Sequence, residues 1–284
     1  MRTIAVTGGK GGTGKSSFAV LLSLKMSLEG KKVLLVDCDV ECPNDFILLG
    51  VKELTDPIKE TRTFYPKIDP DKCKKCGFCV RSCNSSALLQ PLNEVPVLNK
   101  NLCSSCGVCW NVCPYGAISK EEEMNGEIFL NNISKNFSLV TGRSIVGIRE
   151  TSPVVEQTRK YIDTISSDFD LVIIDTAAGT HCTVMSALDG VDRAYSVTEP
   201  TPLGAHDLSI ILRVLRILKI PSEIILNRSD IGNKDLITQI SDKYSTDISL
   251  EIPFDRKFAE IYSRGSLIEN VELLKMLDGF SLNL

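Results

Sequence analysis

The sequence predicts an α/β fold, a doubly wound and mostly parallel sheet interrupted by a small α+β insert rich in cysteine. Three observations carry this expectation. Short apolar runs of strand length alternate with segments of helical periodicity on both sides of the insert. A glycine-rich stretch, Gly9-Lys10-Gly11-Gly12-Thr13-Gly14-Lys15-Ser16, separates the first strand from the first helix. Between them and the later repeats lie two cysteine runs of one spacing, C-x2-C-x2-C-x3-C: Cys73, Cys76, Cys79, Cys83 and Cys103, Cys106, Cys109, Cys113.

Taken in order, residues 2–7 read as a buried parallel strand. Residues 15–29 have helical periodicity through Phe18, Leu21, Leu22, Leu24 and Leu28, and Gly30 supplies a C-terminal cap. Residues 32–36 form a second strand that ends at Asp37-Cys38-Asp39. Pro57, Pro66 and Pro70 then predict a linker into the cysteine block. The core is assigned to 1–62 and 121–284 and the insert to 63–120. The α/β alternation resumes after about residue 125, with helices expected at 152–166, 181–189, 204–219 and 233–243. Strands are expected at 170–175, 192–197, 222–227 and 247–250, and 255–278 is mostly helical.

A chain of 284 residues suits one large α/β domain with an insertion, or two domains. Its formal charge of −4 gives no support for nonspecific nucleic-acid binding, so no nucleic-acid partner is expected. The N-terminus runs straight into the glycine-rich loop, and no apolar stretch is long enough to span a bilayer, so a cytoplasmic location is expected. The last residues, 270–284, hold one lysine and two acids, which disfavours membrane attachment. Eight of the eleven cysteines fall into two copies of a metal-ligand spacing, which argues against disulfides.

The glycine-rich stretch fits the phosphate-binding loop of a P-loop NTPase. Glycines let backbone N–H groups approach anionic phosphates, and the helix N-terminus near Lys15 adds its dipole. Lys15 is expected to reach the β- and γ-phosphates and Ser16 to ligate Mg²⁺. A bare glycine turn is the alternative, and the strand-loop-helix context speaks against it. The nucleotide site then includes Gly9, Lys10, Gly11, Gly12, Thr13, Gly14, Lys15, Ser16 and Ser17, with ATP or ADP as ligand.

The second lysine, Lys10, resembles the deviant Walker A motif of the MinD/ParA and nitrogenase iron-protein superfamily. That resemblance implies that Lys10 reaches across a dimer interface to the partner's nucleotide. Val33 to Asp39 resembles the family's first switch region. Asp39 is then the carboxylate that orients or activates water, and Asp37 helps position Mg²⁺ or the switch. Asp175-Thr176-Ala177-Ala178-Gly179 resembles the second switch, with Asp175 holding Mg²⁺ and the Gly179 amide sensing the γ-phosphate. Asn227, followed by Arg228, matches an adenine-contacting asparagine, and Ile252-Pro253-Phe254-Asp255 resembles the loop over the base. Taken singly, each acid reads as a strand-end cap. The family also implies an ATP-dependent homodimer, or a heterodimer with a related ATPase.

The cysteine runs have the spacing of bacterial-type ferredoxins with two [4Fe–4S] clusters. In such modules three cysteines of one run join the last of the other. Cluster one is therefore expected on Cys73, Cys76, Cys79 and Cys113, and cluster two on Cys83, Cys103, Cys106 and Cys109. Structural zinc is the alternative, and it suits tetrahedral four-thiolate sites rather than these triple spacings. Asn84 stands where Pro114 follows the second run. Lys72, Lys74, Lys75 and Arg81 offset cluster charge, meet an acidic partner, or form a solvated face. Cys182 reads as a buried thiol, with a bridging cluster as the bolder alternative; Cys38 reads as packing, and His206 as capping or packing. Together these features predict a Mg²⁺-dependent ATPase that couples nucleotide state to electron transfer with a redox or metal-cluster-binding partner. Cluster assembly or carriage, and a redox-sensing positioning ATPase, are the alternatives.

Overall fold

The protein is described by a computed structural model covering residues 2–265 and 267–282. β1 (Arg2–Thr7), α1 (Lys15–Leu28) and β2 (Val33–Cys38) open the chain, followed by the single turn α2 (Asp45–Leu48). β3 (Lys59–Ile68) leads into the cysteine segment, which holds α3 (Phe78–Arg81), β4 (Leu88–Leu89), β5 (Val97–Leu98) and α4 (Val108–Asn111). β6 (Ile118–Ser134) and β7 (Phe137–Ser144) lead back out. Then come α5 (Ser152–Ile165), β8 (Leu171–Thr176), α6 (Cys182–Leu188), β9 (Arg193–Thr198) and α7 (Pro202–Ile217). β10 (Ser222–Asn227), α8 (Asp235–Tyr244), β11 (Ile248–Ile252) and α9 (Arg256–Tyr262) complete the alternation. The chain closes in 3-10 turns at Leu267–Glu269 and Val271–Leu277, so the expected helical stretch 255–278 is helical in two different forms. Asn283 and Leu284, the last residues of the segment 270–284 read against membrane attachment, lie outside the described residues.

Among the described residues one nine-stranded sheet runs in the order β11-β10-β9-β1-β8-β2-β7-β6-β3. Every pairing from β11 to β7 is parallel, while β7–β6 and β6–β3 are antiparallel. The strands carry apolar residues on both faces because both faces are covered. In β8, Leu171 and Ile173 join the core under α1 and the C-terminal turns. Val172 and Ile174 point to the opposite core, under α5 to α8. α7 starts where sequence chemistry stops the chain from remaining extended. Thr201 caps it by accepting from the Gly204 N–H, and Pro202 occupies the first turn.

The expected linker around Pro57, Pro66 and Pro70 is largely strand. β3 pairs with β6 from Lys59↔Ile128 to Ile68↔Ile118, with Pro66 opposite Lys120. Proline is tolerated because β3 is the edge strand, where one side of the backbone has no partner to serve. The acidic run at 121–123 obscures β6 in the sequence, since its side chains line an exposed ribbon and pair across it, as Lys67 does with Glu121 at 2.9 Å. The boundaries drawn at 62/63 and 120/121 therefore fall inside β3 and β6. At Thr61 and Arg62 the register shifts and leaves Asn125 as an extra residue, bonded through its Oδ1 to the Thr61 hydroxyl at 2.7 Å. That bulge bends the ladder where it leaves the sheet. The ribbon beyond it carries the cysteine segment roughly 25 Å out, at about 3.4 Å per residue.

Candidate functional site

β1, β2, β8 and β10 all end at one edge of the sheet, and the phosphate-binding loop, both switch segments and Asn227 lie at those ends. This is the crevice where a doubly wound sheet offers a ligand site. A cavity of about 410 Å³ opens there. Its lining includes Gly11, Gly12, Gly14, Lys15, Ser16, Ser17, Asp39, Asn227, Arg228 and Pro253.

The loop's shape depends on glycine at two positions. Gly14 has φ +97°, and a Cβ there would stand 2.4 Å from Asn227 Nδ2. A Cβ on Gly9 would stand 2.5 Å from the Asp207 backbone oxygen. Asn227 Nδ2 donates to the Thr13 carbonyl at 2.8 Å, fastening β10 to the loop. Gly14→Ala is therefore expected to cost about 1–2 kcal/mol in left-handed backbone alone and to push Asn227 off Thr13. The expected readout is a fall of roughly tenfold or more in ATP affinity by calorimetry; unchanged affinity would show that the loop does not need this conformation.

Lys15 is 7 % exposed, and its ammonium donates to the Lys10 carbonyl at 3.0 Å. Burial lowers its pKa, while Asp175 and Asp39 oppose that shift. Ser16 Oγ donates to Asp175 Oδ2 at 2.5 Å. Burial raises Asp175 to about 7, against the hydrogen bond from Ser16 and the charge of Lys15. Burial also raises Asp39, against hydrogen bonding from the Cys42 N–H and the Lys15 charge. Asp37 is held by the backbone. Its Oδ1 accepts from the Asp39 N–H, and its Oδ2 accepts from the Asn44 and Asp45 N–H groups, at 2.9–3.1 Å. The Gly179 N–H donates to the Gly8 carbonyl at 3.2 Å, tying the second switch to the phosphate loop. Lys10 is half-buried, and its side chain does not line the cavity.

Sequence reasoning reached Phe254, in the loop expected over the base, but not the rest of the aromatic wall. Phe254, Phe258 and Tyr262 line the same cavity from β11's end and α9, with Met276 behind. Phe258 and Tyr262, four residues apart, share a face of α9, and that spacing was the available signal, while Phe254 precedes the helix. Asn44 lines the cavity as well.

The cysteines occupy two further cavities. Cys73, Cys76, Cys79 and Cys113 line one; Cys83, Cys103, Cys106 and Cys109 line the other. Every cysteine of the first run has its counterpart thirty residues later. The backbone repeats at the same interval: Lys75 and Ser105, Gly77 and Gly107, and Ser86 and Gly116 all have positive φ. So do the hydrogen bonds, with the Ala87 N–H donating to Cys83 Sγ at 3.3 Å and the Ala117 N–H to Cys113 Sγ at 3.4 Å. Burial alone would raise Cys83, but these bonds and the Ser85 hydroxyl hold it below the usual thiol range. Burial pushes Cys109 up to about 11.

Around one zinc, four sulfurs would stand about 3.8 Å apart at the vertices of a tetrahedron with Zn–S of about 2.3 Å. Among the described residues, the one group of three or more potential ligands within 4.8 Å is Asp37, Asp45 and Asp175, and no cysteine trio meets that spacing. The wider cysteine sets suit a polynuclear cluster better than a single ion. The segment's own apolar core is also small, with Cys79, Leu88 and Ile118 its buried members. A segment of this size needs a further staple.

The remaining thiols divide differently from expectation. Cys38 is buried, as packing requires, whereas Cys182 is exposed and is not a buried thiol. Cys42, Cys182 and His181 line one groove beside both switch segments. His206 is exposed and contacts its neighbour Asp207 at 3.0 Å, so it neither caps α7 nor packs in the core.

A chain of contacts joins the nucleotide site to the cysteine segment. The Ser144 N–H donates to the Val40 carbonyl at 2.8 Å. Thr151, 2 % exposed, donates through its hydroxyl to Glu41 Oε1 at 2.9 Å. Arg149 Nη1 donates to the Asn101 carbonyl at 3.4 Å, two residues before Cys103. Among the described residues no helix is long and apolar enough to cross a membrane.

Residues 4–268 match the family described as the CobQ/CobB/MinD/ParA nucleotide binding domain. The chain is 34% identical over 265 residues to MJ0579, a protein of Methanocaldococcus jannaschii, covering 93% of this chain and 90% of that one. It is 25% identical over 222 residues to an iron-sulfur cluster carrier protein of the same organism, covering 77% of this chain and 56% of that one. Among solved structures, the septum site-determining protein MinD of Pyrococcus horikoshii, complexed with Mg-ADP, aligns with a TM-score of 0.57 at 18% identity. That alignment covers 98% of this chain and 96% of the other, and it supports the fold.

Proposed function

The chain belongs to the CobQ/CobB/MinD/ParA nucleotide-binding family, and from that premise we propose that it is a Mg²⁺-dependent, dimeric ATPase that couples nucleotide state to electron transfer through two [4Fe–4S] clusters. The observation that carries this reading is the crossed sorting of eight cysteines into two cavities. Three ligands from one run and the last from the other fill each cavity, the arrangement that two-cluster ferredoxins use.

On nucleotide binding, Lys15 exchanges the Lys10 carbonyl for phosphate oxygens, and the Ser16 hydroxyl oxygen would help hold the divalent cation. Asn227, Arg228 and Pro253 hold the base, with Phe254, Phe258 and Tyr262 as its apolar wall. Asp39 orients the attacking water; its raised pKa brings it nearer to the strength a general base needs. Gly179 is released from Gly8 to meet the γ-phosphate, and Lys10, which does not line its own cavity, serves a partner subunit's nucleotide. Bound clusters would supply one-electron storage at the tip of the β3–β6 ribbon. The Ala87 and Ala117 N–H bonds to Cys83 and Cys113 sulfur would tune their potentials.

Coupling runs through Glu41 and Thr151. A hydrogen bond to a charged group contributes about 1.5–3 kcal/mol, so Thr151→Val is expected to weaken the effect of ATP on cluster reduction roughly tenfold while cluster content stays intact. The test is stopped-flow reduction of anaerobic protein with and without a non-hydrolysable ATP analogue, in wild type and variant. A wild-type rate indifferent to the analogue would refute the coupling.

A second reading, cluster carriage, is favoured by the relative named an iron-sulfur cluster carrier protein and by the exposed Cys42 and Cys182 at one groove. Transfer of iron to an apo-ferredoxin on ATP addition supports carriage; retention of the clusters through turnover supports electron transfer.

A further inference from the structure

Asp45 is the first residue of α2 and is 0 % exposed. Neither of its carboxylate oxygens has a hydrogen-bond partner. A buried carboxylate without a donor is strongly disfavoured unless it is protonated or meets a cation. No ion pair among the described residues offers one here, and the buried lysine of the site, Lys15, is committed to the Lys10 carbonyl and acts on Asp175 and Asp39. Asp45, Asp37 and Asp175 each present an oxygen, and these oxygens lie within 4.8 Å of one another.

The three acids are not equivalent. Both oxygens of Asp37 are taken up by the Asp39, Asn44 and Asp45 N–H groups. Asp175 Oδ2 is held by Ser16, but its Oδ1 is buried and has no partner. The open positions are therefore Asp175 Oδ1 and both oxygens of Asp45, beside the Ser16 hydroxyl. An all-oxygen donor set of this kind suits a hard divalent cation.

We propose that Asp45 is a third carboxylate of the divalent-cation site, acting with Asp175 and Asp37 directly or through the cation's waters. This rests on the reading of the site as a Mg²⁺-nucleotide site and adds a ligand from α2. Its consequence is mechanical. A cation held from both Asp175 and Asp45 draws in the intervening switch segment 39–45. That segment carries Asp39 and also Glu41, the partner of Thr151. Cation binding thereby sets the end of the contact chain that reaches Asn101.

The test uses Mn²⁺ as the probe, followed by electron paramagnetic resonance, on full-length wild type and Asp45→Asn. Titrations are made with and without ADP, and ADP binding is measured separately in EDTA. The expected result is a Mn²⁺ affinity at least tenfold weaker in the variant, with EDTA-state ADP affinity unchanged. A Mn²⁺ affinity within twofold of wild type overturns the proposal. Failure of wild type to bind ADP at all would remove the nucleotide reading, while the nucleotide-free Mn²⁺ titration still decides the role of Asp45. If Asp45→Asn does not fold, hydrogen exchange of wild-type residues 39–48 replaces it: slowing on Mg²⁺ addition supports the proposal, and no change overturns it.

Discussion

Lys15→Ala is expected to abolish ATP binding and to lower hydrolysis by at least about a thousandfold. The ammonium is buried at the head of α1, beside Asp175 and Asp39, and its bond to the Lys10 carbonyl keeps it where phosphate would arrive. Removal takes away the buried cation of the cavity and leaves the Asp175 and Asp39 charges uncompensated against a polyanion. Loss of a single preorganised donor costs about 2.7–4 kcal/mol, or 10²–10³ in rate, and a full charge facing phosphates adds to that. Calorimetry of ATP binding and phosphate release check the expectation, and measurable affinity within tenfold of wild type contradicts it. Lys10→Ala makes the contrast. Its side chain does not line its own cavity, so ATP binding should persist while the ATP-dependent dimer and turnover are lost. An unchanged hydrolysis rate in Lys10→Ala would sink the cross-subunit role.

Cys76→Ser is expected to remove about half the iron of anaerobically isolated protein, which should hold about eight atoms if two [4Fe–4S] clusters are present. Cys76 lies in the cavity of Cys73, Cys79 and Cys113, and the small apolar core of the segment cannot hold that cavity in shape by itself. Loss of one cluster should therefore loosen residues 69–117 to proteolysis, with the nine-stranded sheet left intact. Iron and sulfide analysis, charge-transfer absorbance and limited proteolysis read the three effects. Stoichiometric zinc with no iron in anaerobic wild type would refute the cluster reading.

Parts of this site are legible in sequence because their physics is local. A phosphate loop needs glycines at fixed offsets from a lysine and a serine, and Gly14 shows why: its φ and the approach of Asn227 admit nothing larger. Spacing alone also marks both cysteine runs. The aromatic wall was partly legible: Phe254 falls in the loop expected over the base, and Phe258 and Tyr262 stand one helical turn apart, yet nothing in that spacing says which face of α9 meets the crevice. β3 and β6 were hidden by Pro66 and by the acids at 121–123. Those residues are compatible with a strand only when it is an edge or an exposed ribbon, and that is a fact about neighbours.

The sequence by itself determined the alternation of strands and helices outside β3, β6 and β7, the loop that offers N–H groups to an anion, and which cysteines share a spacing. These follow from the backbone preferences of glycine and proline and from short-range periodicity. Only the tertiary structure decided that Asp45 lies buried against Asp37 and Asp175, and that Thr151 holds Glu41. It also decided that the cysteine segment rides on an extension of the main sheet. Such pairings join residues far apart in the chain, or turn a side chain inward by the path of a single short turn. They are selected by how the whole sheet packs, which no local pattern encodes.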